Sequence, residues 1–187
     1  MRIEWIFLLA AALVVTPKVA ADELSFSWLD ASVSSLHRHQ GGDGHGGRLA
    51  LSYALSDQAF MYVDGSQQDF DMDRNRRYDF GVGINTDPAA AYVLFAQVGW
   101  NNVGVHYPAA PGQQDHGFDA GAGIRVPFAS GWEVYASEHY AHNDVLAGHA
   151  SSRAGVRYAL SPQLSLGAGI DVDPGQTAYL FSLRFNY

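Results

Sequence analysis

The chain has 187 residues with 11 Lys and Arg against 19 Asp and Glu, a net charge of −8, and no cysteine. Those values exclude a disulfide framework and thiolate chemistry, and an acidic chain without a basic stripe argues against nucleic acid as a partner. A mean hydropathy of −0.09 hides any membrane segment whose strands are polar on one face.

Met1 and Arg2 precede an apolar run, Ile6 to Val15, followed by Thr16-Pro17-Lys18 and Val19-Ala20-Ala21. A charged start, a short apolar region and small residues predict a secretory signal peptide cut after Ala21, leaving residues 22–187 as one domain. The run is too short to cross about 30 Å of hydrocarbon as a helix. With Arg2, Lys18 and Glu4 removed, all remaining basic residues are Arg.

From Leu24 onward the chain alternates in period two, with strands of about 8 to 12 residues between short and long connections. The predicted strands are Leu24–Leu36, Arg48–Leu55, Ala59–Phe70, Tyr78–Asn85 and Ala91–Trp100, then Gly117–Val126, Trp132–Ala141, Ser151–Leu160, Leu164–Val172 and Gln176–Tyr187. Short turns at Ser56–Gln58, Thr86–Ala90, Pro127–Gly131 and Ser161–Gln163 alternate with connections at His37–Gly47, Asp71–Arg77, Asn101–His116, His142–Ala150 and Asp173–Gly175. Ten strands put both termini at the short-turn end, as in an up-and-down transmembrane barrel; eight strands is the alternative if the first or third is broken.

One face of these strands is apolar. Its aromatic residues gather at the strand ends: Tyr53, Tyr92, Trp132, Tyr158 and Tyr187 toward the short turns, and Tyr78, Trp100, Phe118, Tyr140 and Tyr179 toward the loops. Two such girdles around an aliphatic band match two membrane interfaces. A soluble lipocalin-like barrel or sandwich would turn the same face inward and leave the girdles unexplained. In the last strand Tyr179, Phe181, Leu183, Phe185 and Tyr187 occupy every second position up to the final residue.

The final strand, with Leu24-Ser25-Phe26-Ser27-Trp28-Leu29-Asp30-Ala31 and Phe60-Met61-Tyr62-Val63-Asp64-Gly65, resembles the small bacterial outer-membrane β-barrels of the porin-like superfamily. The resemblance implies an outer-membrane location with both termini periplasmic and long loops extracellular. It also implies contact with outer-membrane lipid and lipopolysaccharide, and a terminal strand read by the barrel-assembly machinery. It implies no substrate.

The opposite parity carries Arg48, Asp64, Asp79, Asp119, Arg125, Glu133, His139, Arg153, Arg157, Asp171 and Arg184. Guanidinium forks pair with carboxylates, so these groups are expected to close a narrow lumen as a charge network. Glu138 breaks the pattern: it faces lipid unless a bulge near Ser137 or a place above the apolar band removes it. Inward glycines, among them Gly81, Gly83, Gly121, Gly123, Gly167 and Gly169, leave gaps for Phe95, Tyr135 or water.

The Glu138-His139-Tyr140-Ala141-His142-Asn143-Asp144 stretch holds a histidine and acids. It lacks the serine that a His-x-Ser-Asn deacylase arrangement needs, and nothing activates Ser137. The reading is non-enzymatic, with no cofactor. All eight histidines fall toward the loop end, and His37, His39 and His45 form a candidate metal site whose spacing matches no standard one. Three roles follow: a closed structural or surface-interaction barrel, a narrow passive pore for small solutes, or a metal- or pH-responsive loop binder.

Overall fold

The computed structural model describes residues 24–39, 42–107, 110–143 and 148–187. The expected signal peptide, residues 1–21, lies outside them, as does Asp144. Ten strands follow in chain order: β1 (Trp28–Arg38), β2 (Asp43–Ser56), β3 (Ala59–Phe70), β4 (Arg74–Asn85) and β5 (Val93–Tyr107), then β6 (Ala110–Ala129), β7 (Trp132–His142), β8 (His149–Ala159), β9 (Leu164–Asp173) and β10 (Gln176–Asn186). Each pairs antiparallel with its sequence neighbours, and β1 closes on β10. No sheet edge is left, which is what a sheet in hydrocarbon requires.

Closure is set by the ends of the chain. Trp28 lies opposite Asn186 and Leu29 opposite Phe185. The Tyr187 amide donates to the Ser27 carbonyl at 3.2 Å, and its phenol donates to the Ser52 carbonyl at 3.0 Å. Gly131, with φ of 75°, makes the tight β6–β7 turn in a conformation that a Cβ would strain.

The architecture is inside out. Phe181 is 69% exposed and Ile84 is 66% exposed, whereas Asp30, Asp119 and Glu133 are buried. All ten girdle aromatics face outward and are exposed. Tyr92 and Trp100, Trp132 and Tyr140, and Tyr179 and Tyr187 are each eight positions apart. That is about 27 Å along a strand and about 20 Å along the normal of a barrel tilted by some 40°. With the rings themselves, the span fits the apolar band of a transmembrane barrel, about 25 Å tall. The chain folds as a transmembrane β-barrel.

Three differences from the sequence expectation have physical causes. Strands run further toward the loop end than expected: β2 starts at Asp43, β4 at Arg74, β5 ends at Tyr107 and β6 starts at Ala110. Ladder hydrogen bonds need no apolar side chain, so polar segments beyond the membrane still pair. At the opposite end, residues 24–27 are not strand; they turn into the barrel mouth. Glu138 needs neither a bulge nor a place beyond the upper girdle, since β7 pairs regularly there with Ala122 and Ser152. Its carboxylate faces outward, two residues short of Tyr140, and accepts a hydrogen bond from the Ser152 hydroxyl at 2.8 Å.

The inward glycines do not make an open wall. A Cβ on Gly123 would meet the Phe95 ring at 2.6 Å, one on Gly121 the His139 ring at 2.7 Å, and one on Gly155 the Tyr135 hydroxyl at 2.5 Å. Each of these three glycines makes room for a neighbouring inward ring, and Gly167 makes room for the Ser182 hydroxyl.

Candidate functional site: the barrel lumen

Every inward-facing charge predicted from strand parity lies on the lumen side, and the strands arrange these groups in two layers. The layer at the short-turn end is the better buried. Arg125 donates from Nε and Nη2 to both oxygens of Glu133, at 2.8 and 2.9 Å. Arg157 donates to Glu133 at 3.3 Å and to Asp30 at 3.4 Å, and Arg184 donates to Asp30 at 3.0 Å. Three guanidinium groups therefore share two carboxylates. Each also lies over a ring: Arg125 over Phe26 at 5.1 Å, Arg157 over Tyr135 at 5.1 Å and Arg184 over Trp28 at 4.0 Å. The rings offset part of the surplus positive charge through their negative faces.

Nearer the loop end, Arg48 pairs with Asp64, and Arg153 pairs with Asp171. Arg77 Nε donates to both oxygens of Asp79, at 2.9 and 2.7 Å. Asp119 accepts from the Tyr62 hydroxyl at 3.0 Å.

Sequence reasoning missed Asp30 and Arg77. Asp30 was legible, because Leu29, Ala31 and Val33 face lipid and force it inward. Arg77 is not legible from apolar alternation, because its polar segment reads as a loop and pairs as β4.

Below the arginine layer the segment that precedes β1 packs into the short-turn end of the lumen. Phe26 stacks on Phe60 with centroids 4.8 Å apart and meets Phe95 edge-on at 6.3 Å. Leu24, Phe26, Phe60, Tyr62 and Val93 form one buried apolar cluster. Backbone groups hold the segment: Arg125 Nη1 donates to the Ser25 carbonyl at 2.9 Å, and the Leu24 amide donates to Pro88 at 3.3 Å. The Ala54 amide donates to the Ser27 hydroxyl at 3.1 Å. On the loop side of Phe26, a cavity of about 480 Å³ extends up to Pro174 and Gln176. A second hollow, of about 380 Å³, lies on the short-turn side, and Phe26 lines both.

The histidines do not converge. His37 Nδ1 contacts Asp43 at 2.6 Å, and His45 faces outward on β2 opposite Asp69. His39 lies in the bend after β1. Among the described residues, no group of three or more His, Cys, Asp or Glu side chains is arranged to hold a metal ion. His116 and His142 extend the upper girdle, the first stacked on Trp100 at 5.4 Å and the second against Phe118 at 5.5 Å. His139 and His149 instead face the lumen. On β7, Ser137 and His139 face inward while Glu138 faces lipid, so the three do not form a triad.

No protein-family model matches the chain, and no curated protein matches it in sequence. Among solved structures it is similar to the N-terminal β-barrel domain of Pseudomonas aeruginosa OprF, at 13% identity over 86% of this chain and 98% of that one, with a TM-score of 0.48. It is also similar to the NanC porin, at 8% identity over 85% of this chain and 100% of that one, with a TM-score of 0.48. A third is Neisserial surface protein A, at 14% identity over 87% of this chain and 98% of that one, with a TM-score of 0.44. The barrel assignment rests on the chain's own closed strand order and outward apolar band.

Proposed function

We propose that this is a non-enzymatic outer-membrane barrel whose lumen is closed at the periplasmic end, serving a structural or surface-interaction role rather than passing solutes. The observation that carries this reading is the Phe26 segment folded across the short-turn mouth beneath the shared layer of Arg125, Arg157, Arg184, Asp30 and Glu133. An ion crossing that layer would have to displace buried guanidinium–carboxylate pairs and then pass an apolar cluster. Both steps cost free energy, because the lost partners are not replaced by water.

The short-turn end is read as periplasmic, which makes the cavity above Phe26 face outward. The barrel-assembly machinery and outer-membrane lipid are the partners this location implies. The passive-pore reading would need a path past Phe26, and the metal reading would need the loop histidines to converge.

Single cysteines test the sidedness, since the chain has none of its own. Ser66 faces the lumen above the plug and Ala54 lies beside the short-turn mouth. In intact cells, a membrane-impermeant maleimide is expected to label Ser66→Cys, and to label Ala54→Cys only after the outer membrane is permeabilised. Equal labelling of both in intact cells would contradict the closed lumen, and labelling of Ala54→Cys alone would reverse the orientation.

A further inference from the structure

Of the arginines in the described strands, only Arg74 and Arg76 point away from the lumen; Arg38, Arg48, Arg77, Arg125, Arg153, Arg157 and Arg184 all point into it or over its mouth. The outward pair lies on β4, immediately beyond Tyr78 of the upper girdle. Arg74 is spoken for by Asp69. The exposed Arg76 guanidinium has no carboxylate among the described residues; its Nε donates to the neutral amide oxygen of Gln67 at 3.0 Å.

Opposite Arg76 on β5 is Gly104. A Cβ built there would find nothing nearer than the Gln113 carbonyl at 3.9 Å, so the outward face has a notch at this point. On the far side of the notch, Gln114 lies opposite Gly104 on β6, its amide donating to the Asn102 side chain at 3.1 Å. A guanidinium whose Nη groups have no partner among the described residues stands on one side of an open glycine position, with an amide on the other.

Height selects the occupant. Arg76 is two residues past Tyr78, which on a tilted strand is about 5 Å beyond the girdle. The headgroup layer adds roughly 5 to 7 Å to each side of the hydrocarbon, so this guanidinium sits where headgroup phosphates lie. On the opposite wall the outward positions Val172 and Thr177 carry no charge, and His37, in register with Thr177, is taken up by Asp43 at 2.6 Å. Arginine's planar fork suits phosphate oxygens, and its pairing is strengthened where water is scarce.

We infer that the notch over Gly104, with Arg76 as its anchor and Arg74 and Gln114 at its rim, is a docking site for a phosphate-bearing lipid headgroup of the outer leaflet. This rests on the outer-membrane reading above and deepens it by naming the lipid chemistry that the barrel wall recognises. The site is one-sided, so it orders lipid along β4 to β6 and leaves the opposite wall to bulk lipid.

The test uses the full chain folded in detergent micelles and native mass spectrometry, with bis-phosphorylated lipid A as the probe and the same lipid stripped of both phosphates as the reference. The native barrel is expected to retain the phosphorylated form about tenfold better, the value of one charge-assisted guanidinium contact. Arg76→Gln should erase that preference, and Gly104→Val should erase it too, by filling the notch without altering charge. Arg76→Lys should keep part of it.

Equal retention of the two lipids by the native barrel, or an undiminished preference in both Arg76→Gln and Gly104→Val, would overturn the proposal. So would complete competition by millimolar inorganic phosphate, which would make free phosphate the ligand. Heat-modifiable migration of each variant reports the barrel itself, and cell fractionation reports its location. A failure of the outer-membrane reading therefore shows separately from a failure of the lipid site.

Discussion

Asp30→Ala is expected to lower the unfolding free energy by about 3 to 5 kcal/mol, the usual cost of breaking a buried ion pair by removing one partner. Asp30 is 4% exposed and accepts from both Arg157 and Arg184. Its loss leaves three guanidinium groups served by Glu133 alone in a layer that water enters poorly. Trp28 under Arg184 and Tyr135 under Arg157 recover only a fraction, since a cation over a ring is worth about 0.5 to 2 kcal/mol.

The measurement is the urea midpoint of the folded, heat-modifiable form. Asp43→Ala provides the comparison: Asp43 is exposed and among the described residues pairs only with His37, so its removal should stay within about 0.5 kcal/mol. Equal midpoints for the two variants would mean that the lumen layer contributes nothing to stability.

Removing Phe185 to Tyr187 should have a larger effect still, namely no membrane-integrated barrel. The deletion takes away the pairing of Phe185 with Leu29 and of Asn186 with Trp28, together with both hydrogen bonds from Tyr187. It also exposes the end of β10 next to Arg184, which positions Asp30. A barrel has no stable state with an open edge in hydrocarbon, so partial closure is not an intermediate outcome. Fractionation and heat-modifiable migration read the result directly. Normal migration of the truncated chain would show that the outward aromatic register of β10 is dispensable.

Strand number and facing were legible because both depend on a period of two that the membrane enforces over the whole apolar band. Phe80, Val82 and Ile84, or Phe181, Leu183 and Phe185, cannot be shifted by one residue without driving charges into lipid. The lumen arginines and acids followed from the same parity.

What the alternation could not convey lay where the membrane stops enforcing it. Beyond the upper girdle, polar residues such as Arg74, Arg76 and His106 still pair as strands, so apolar alternation does not reveal them, nor Arg77 beside them. At the other end, Leu24 and Phe26 alternate with serines like a strand, yet both are buried in the mouth. Their docking against Phe60, Phe95 and Val93 depends on contacts far apart in sequence. Glu138 shows the same limit on a single residue: among the described residues its one hydrogen-bond partner is the Ser152 hydroxyl on the adjacent strand.

Single-channel recording in planar bilayers tests the closed lumen most directly. On the proposed closure by Phe26 and the Arg125–Glu133 pair, the native barrel is expected to insert without unit conductance steps. Phe26→Ala, which removes the ring shared by the two hollows, is expected to produce small, discrete steps. A steady unit conductance from the native barrel, unchanged by Phe26→Ala, would contradict the account and establish a pore.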